Sequence, residues 1–379
     1  MILLLVSLLS VLFDTVHSSF DTRVSQHTSI NRIGSVDLGI LAETTPVIFN
    51  NTLWLLECIQ GKKYYMNPNG KSYLRFTNPL TGIRSPHFAV GYGLGNAVVD
   101  ISINEKTETM YVFATKTPYG ISTNNTEVSV FWSTNIMSNK WNTAVAIRAD
   151  DVGVIPNGCG GGKKTLWNTS VQKGKINGGK AFLMAYEYNC GGPGWQTHFA
   201  VAKEVGSSGL ATADWTPIPY ENQTNFFKIS HANPTIRFNE VDGYWYLLST
   251  RGANGILVED VYRSKTPTSF GSWEAPPGWL IDDPLAAPLL APSAQDQVPS
   301  PLPWHPDTKS VVTGNATVMK KAKNINTSDL DLCTATIDGK VRTIMYWAWG
   351  NQGLGPTGMV LSVGIAEGTM EDFLSSYFA

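Results

Sequence analysis

Six carboxylic acids in this chain stand where short apolar or aromatic runs begin or end: Glu43, Glu57, Glu187, Glu259, Asp329 and Asp331. Only 15% of its 379 residues are charged, so acids embedded in stretches such as WLLECI and MAYEYN are conspicuous. A carboxyl group kept from water beside aromatic rings holds its proton, while a better solvated neighbour ionises. Such a pair is what acid and base attack on a glycosidic bond requires. Trp54, Tyr186, Tyr188, Tyr262 and Trp349 lie near these acids in sequence, and aromatic faces stack on sugar rings. Taken singly, Glu57 or Glu187 reads equally as a buried acid satisfied by backbone or arginine.

Other chemistries lack residues. The glycine runs CGGGKK from Cys159 and CGGPG from Cys190 have neither the spacing nor the following hydroxyl of a phosphate loop. His87, His198, His231 and His305 form no i, i+4 metal pair, the cysteines have no metal-ligand spacing, and no nucleophile elbow Gly-x-Ser-x-Gly occurs. No metal ligand is assigned and no cofactor is required. A net charge of -2 without a basic cluster argues against nucleic acid.

The elements that position the acids come from an internal repeat. Apolar and aromatic strand pairs recur as TPVIFNNTLWLLE from Thr45, GNAVVDISINEKTETMYVFATK from Gly95, NTSVQKGKINGGKAFLMAYEY from Asn168, NPTIRFNEVDGYWYLLSTR from Asn233 and DLDLCTATIDGKVRTIMYWAWG from Asp329. Outer segments follow them to Trp141, Trp215 and Trp273. Each small sheet must bury its faces against its neighbours, so five units predict a radial array: an all-β, five-bladed propeller of four-stranded antiparallel blades around a central funnel. The blades run from about Thr44 to Phe378, in one domain covering 20–379. In such blades the starts of inner strands and the ends of second strands share one face. All six acids fall there, with Trp54, Asn168, His231, Asn233, Arg251, Tyr262, Trp349 and Asn351 as candidate substrate contacts.

Met1 to Ser19 reads as a signal peptide, with an apolar run from Ile2 to Phe13 too short to span a bilayer, and no later segment could cross a membrane. Secretion is the expectation, and it permits disulfides. Cys159 and Cys190, in glycine-rich loops of one unit, form the expected bridge; Cys58 and Cys333 would tie the first blade to the last unless Cys333 is a buried thiol. N-glycosylation sequons stand at Asn50, Asn124, Asn168, Asn222, Asn315 and Asn326. The proline-dense stretch from Ala275 to Asp307 reads as a long surface loop, either a funnel wall or a connector.

The unit NPTIRFNEVDGYWYLLSTR followed by DVYRSKTPTSFGSWE resembles blades of the five-bladed propeller glycoside hydrolases, the family 43 arabinanase and xylosidase group and related fructan-cleaving families. The resemblance covers essentially the whole chain after the leader. It implies an enzyme with carbohydrate as its partner and an axial calcium as an optional ion; from the leader, the charge and the hydropathy, secretion is expected and neither nucleic acid nor membrane is an expected partner. The family's catalytic motifs diverge here: Thr45 stands where the family has an aspartate before proline, and Asn233 precedes Pro234. Glu187 or Glu259 is therefore read from the residues as the proton donor, and Asp329 or Glu43 as the ionised partner. A carbohydrate-binding propeller without chemistry, and a lyase or sialidase-like enzyme using His231, Arg251 and Tyr262, are the alternatives.

Overall fold

The structure, a computed structural model, describes residues 28–37, 44–59, 71–101, 107–117, 125–152, 163–190, 196–203, 209–219, 231–253, 256–269, 271–277, 288–297, 326–350 and 359–379. Strand β1 (Asn31–Asp37) opens it. Blade 1 follows with β2 (Thr45–Phe49), β3 (Thr52–Ile59) and β4 (Tyr73–Thr77); blade 2 has β5 (Tyr92–Ile101), β6 (Glu108–Lys116), β7 (Glu127–Ser133) and β8 (Asn142–Arg148). Blade 3 has β9 (Thr165–Ile176), β10 (Gly179–Asn189), β11 (Gln196–Lys203) and β12 (Thr216–Pro217), and blade 4 has β13 (His231–Phe238), β14 (Trp245–Ala253) and β15 (Ile256–Ser264). Blade 5 has β16 (Thr327–Ile337), β17 (Lys340–Gly350) and β18 (Met359–Glu367), with β1 as its outermost strand.

The hairpins are written in the turns. Asn177-Gly178 and Asp338-Gly339 both take positive φ, which suits the right-handed twist of the flanking strands, and Asn50-Asn51 does the same in blade 1. Side chains alternate across each strand, so every blade supplies both its neighbours. Five apolar cores result, one per seam. Trp54 and Leu56 meet Val112 between blades 1 and 2; Phe113 meets Phe182 between blades 2 and 3; Leu183 meets Trp245 between blades 3 and 4; Leu248 meets Trp347 between blades 4 and 5; and Ile344 meets Leu55 between blades 5 and 1.

Three expectations change. Blades 1 and 4 have three strands rather than four among the described residues. Proline-bearing segments cover their outer edges through isolated bridges, Leu74 to Phe88 and Arg263 to Glu274, where Pro86 and Pro276 keep a full ladder from forming. The ring also recruits β1, which precedes Thr44 and pairs antiparallel with β18, so the two ends of the chain close one blade. Cys58 and Cys333 are not bridged to each other: Cys58 faces the seam with blade 2, where it accepts from Gly95 N at 3.2 Å, whereas Cys333 packs at the seam between blades 5 and 1.

Cys159 and residues 1–27 lie outside the described residues, as do Glu43, Asn351 and the sequons at Asn124, Asn222 and Asn315. Of the other sequons, Asn50 is exposed, but Asn168 and Asn326 are buried, where a glycan has no room. Leu289 and Leu290 of the proline-dense stretch pack into the core between blades 4 and 5, which fits a connector. One element carries no β signal at all: helix α1 (Met370–Ser376) starts in a capping box between Thr369 and Asp372 and sends Phe373 and Leu374 into that same core.

Candidate active site

Four inner strands enter the funnel through the same distortion. A register shift interrupts the pairing of β5 between Gly93 and Asn96, of β9 opposite Tyr186 and Glu187, of β13 between Ala232 and Thr235 and of β16 between Ser328 and Asp331. At each bulge a residue other than glycine lies in the left-handed region: Leu94 (φ 54), Asn168 (φ 28), Asn233 (φ 52) and Asp329 (φ 60). Such bulges re-aim side chains, and their strain concentrates at functional sites. All four residues line one pocket on the propeller axis, together with Thr44, Thr45 and Asn96.

Carboxyl groups from neighbouring blades meet these bulges from behind. Glu187, near the end of β10, accepts the backbone N–H of Asn233 at 2.5 Å. Glu259 on β15 accepts from Thr250 Oγ1 at 2.8 Å and from the backbone N–H of Leu330 at 3.4 Å. Asp329 lines the pocket itself, with Ser328 Oγ donating to its Oδ2 at 2.7 Å and no hydrogen-bond partner on Oδ1. Asn233 connects these groups: its side chain accepts from Asn168 and donates to Thr250 Oγ1 at 3.2 Å.

The three acids share a low-dielectric site. Among the described residues no basic side chain forms an ion pair with Glu187, Glu259 or Asp329. Burial pushes Glu187 up to about 8, against the Asn233 N–H and with help from the charge of Asp329. It raises Glu259 well above the carboxylate range, with Asp329 again adding to the shift. Asp329 rises only to about 6, held down by the Ser328 hydroxyl. Proton-bearing glutamates therefore stand beside an aspartate that ionises first.

The cause of the glutamate shifts differs from the tyrosine neighbours expected from sequence. Tyr186 and Tyr188 project from the opposite side of β10 into the core between blades 2 and 3, whereas Glu187 faces blade 4. Tyr262 likewise packs between blades 3 and 4 while Glu259 faces blade 5. Enclosure at the seams, rather than adjacent rings, desolvates both acids.

One layer deeper, the axis is closed by polar side chains that satisfy one another. Thr45 accepts from Asn96 Nδ2 at 3.1 Å and from Ala97 N at 3.4 Å; Asn96 also donates to Asp331 Oδ2 at 3.3 Å and accepts from Val171 N at 3.0 Å. Ser170 accepts from Ile236 N at 3.0 Å. Arg237 forms a buried ion pair with Asp331 and donates to Leu332 O at 3.1 Å. Asp331 is thus neutralised in place, although burial still raises its pKa.

Asp329, Asp331, Asn168 and Asn233 line the pocket, and Glu187 and Glu259 stand behind its bulges. Glu57 is ion-paired with Arg75 on β4. Arg251 is buried against Asp260, whose Oδ2 also accepts from Tyr262. Trp54 and Trp349 belong to the seam cores, and His231 begins β13 opposite Arg251. Sequence reading passed over Leu94, Ser170, Arg237, Thr250 and Ser328. Aligning the inner-strand starts Leu94-Gly95-Asn96, Asn168-Thr169-Ser170, Asn233-Pro234-Thr235 and Asp329-Leu330-Asp331 exposes a polar side chain two residues beyond each bulge residue.

An axial divalent cation would meet a poor donor set, since the guanidinium of Arg237 occupies Asp331. Among the described residues no group of three His, Cys, Asp or Glu side chains is placed to hold a metal. Among the same residues no helix is long and apolar enough to cross a membrane.

No family model and no curated protein sequence matches this chain. Solved structures do. The catalytic domain of the Coprinopsis cinerea GH62 α-L-arabinofuranosidase superposes with a TM-score of 0.55 at 11% identity, over 91% of this chain and 99% of that one. The α-L-arabinofuranosidase PaAbf62A from Podospora anserina, in complex with cellotriose, gives 0.51 at 11% identity, over 91% and 98%. A GH62 hydrolase in complex with xylotriose gives 0.53 at 11% identity, over 90% and 98%. The fold is that of the five-bladed propeller glycoside hydrolases, and at this identity the likeness is one of architecture.

Proposed function

We propose that this chain is a secreted glycoside hydrolase that cleaves a poly- or oligosaccharide in the axial funnel by carboxylate acid and base chemistry. The reading rests on one observation: Asp329 lines the axial pocket while two further buried carboxyl groups, Glu187 and Glu259, stand directly behind its bulges, with no paired cation among the described residues. Glu259 is the favoured donor, because its Oε1 is anchored by Thr250 and Leu330 while its Oε2 has no hydrogen-bond partner to which the proton is committed. It would protonate the glycosidic oxygen as the bond to the anomeric carbon breaks. Asp329, ionised above about pH 6, would activate water or attack that carbon. Glu187 is the alternative donor. Asparagine and threonine around the pocket supply neutral hydrogen-bond partners for sugar hydroxyls.

The structural neighbours that hold cellotriose and xylotriose support carbohydrate as the ligand class. The described arginines of the axis disfavour a lyase or sialidase-like enzyme, which needs an available cation for a carboxylated sugar, because Arg237 and Arg251 are committed to Asp331 and Asp260. A carbohydrate-binding propeller is the second reading. It is favoured by the backbone N–H groups that Glu187 and Glu259 accept, since these contacts alone give both acids a structural task.

The test is a screen of the purified protein against plant, fungal and algal glycans with product analysis. Cleavage with a bell-shaped rate profile, rising through about pH 6 as Asp329 ionises, supports the enzyme. Binding without cleavage selects the second reading. Cleavage that persists in both Glu187→Gln and Glu259→Gln removes the proposed donors.

A further inference from the structure

The short stretch that carries Asp329 has its own internal relay. Asn326 Nδ2 donates to Ser328 Oγ at 3.2 Å, and Ser328 Oγ donates to Asp329 Oδ2 at 2.7 Å. Asn326 and Ser328 are buried, 1% and 0% exposed, so water does not compete at these atoms. A serine hydroxyl has a single proton. With the asparagine amide already donating into the oxygen, that proton is directed to the aspartate. The other carboxylate oxygen, Oδ1, is left without a hydrogen-bond partner although Asp329 lines the pocket.

We propose that Ser328 is a positioning residue for Asp329, with Asn326 orienting its hydroxyl, so that Oδ2 is anchored and the side chain is held at the pocket. The proposal rests on the reading of Asp329 as the ionised partner in glycoside cleavage. Among the described residues, the titratable groups around Asp329 are Glu187 from β10 and Glu259 from β15, with Asp331 and Arg237 one layer deeper. Both glutamates oppose a second negative charge. Among the described residues, the Ser328 hydroxyl is the side-chain contact that favours the ionised form.

The experiment titrates protein labelled with 13C at the aspartate carboxyl carbons, with Asp329→Asn identifying the signal of interest. Ser328→Ala should raise the Asp329 midpoint by about one pH unit, a tenfold change in proton affinity. Ser328→Thr should stay near wild type, and Asn326→Ala should move the midpoint in the same direction by less. On a cleaved glycan, Ser328→Ala should carry the acid limb of kcat/KM to higher pH with KM little altered. A Ser328→Ala midpoint equal to wild type, or Ser328→Thr shifted as far as Ser328→Ala, overturns the proposal. If Ser328→Ala does not fold, an unshifted midpoint in Asn326→Ala overturns it instead. Activity retained in Asp329→Asn would sink the functional reading, while the titration would still decide the role of Ser328.

Discussion

Asp329 and Asp331 stand two residues apart on β16 and have opposite surroundings. Both are buried, and both face the axis. Asp331 sits in the deeper ring, where Arg237, Asn96 and the backbone N–H of Leu332 meet its oxygens. Asp329 sits in the mouth ring, with one hydroxyl on one oxygen and two glutamates for company. The deeper ring behaves as a polar plug, closed on itself. The mouth ring leaves charge uncompensated, which a fold tolerates where that charge is used. Whether a buried acid works or holds the ring together is therefore decided by its partners rather than by its burial.

Exchanging the acids for their amides should separate the two rings most sharply. Asp329→Asn should lose activity by about 10²- to 10⁴-fold, the range for a removed acid or base, with unfolding unchanged or shifted toward higher stability. Asp331→Asn should instead cost about 3–5 kcal/mol in urea unfolding, because it leaves the guanidinium of Arg237 buried without its partner. If Asp331→Asn proves as stable as wild type, the plug carries no weight in the ring and the contrast fails.

A smaller effect tests the mouth ring through pH. Glu187 has a folded pKa near 8, above the ordinary value of 4.5. The unfolded chain therefore releases this proton first, and stability falls as pH rises from the unfolded value through about 8. Glutamine at this position mimics the protonated acid. Glu187→Gln should unfold like wild type near pH 4 and be more stable by about 1 kcal/mol or more at pH 8, since even a tenfold difference in proton affinity between the folded and unfolded chain is worth that much. Equal stabilities at both pH values would show that Glu187 is solvated, contrary to its enclosure.

Much of the architecture was legible because its causes are periodic. Alternating apolar strands, closed by Asn-Gly and Asp-Gly turns, located the blades from Thr45, Gly95, Asn168, Asn233 and Asp329. The site was legible only in part. Glu187, Glu259, Asp329, Asn168 and Asn233 were named from their places at blade ends; the last three line the axial pocket, and the two glutamates are buried behind its bulges. Glu57 and Arg251 carried the same signal yet are ion-paired within their own blades, at Arg75 and Asp260, because a cross-strand partner leaves no trace in one strand's pattern. Bulges were invisible for a related reason. They break the two-residue alternation that sequence reading depends on, and they are what turns Leu94, Asn168, Asn233 and Asp329 to the axis.

The smallest expected effect comes from Leu94, the apolar member of the mouth ring, set against Asn96 in the deeper ring on the same strand. Leucine at φ 54 is strained, by about 1–2 kcal/mol on the handedness argument. Asparagine tolerates that region but gives up a buried side chain worth about 1.5–3 kcal/mol. The two terms oppose, so Leu94→Asn should change stability by no more than about 1–2 kcal/mol. The mirror change, Asn96→Leu, has no such compensation. It strips a donor from Thr45 and Asp331 and an acceptor from Val171 N, and each buried group left unsatisfied costs about 1–3 kcal/mol. Chemical denaturation of the two variants side by side checks the claim. Leu94→Asn should fall close to wild type and Asn96→Leu well below it; the reverse order would mean that the mouth, not the plug, holds the axis together.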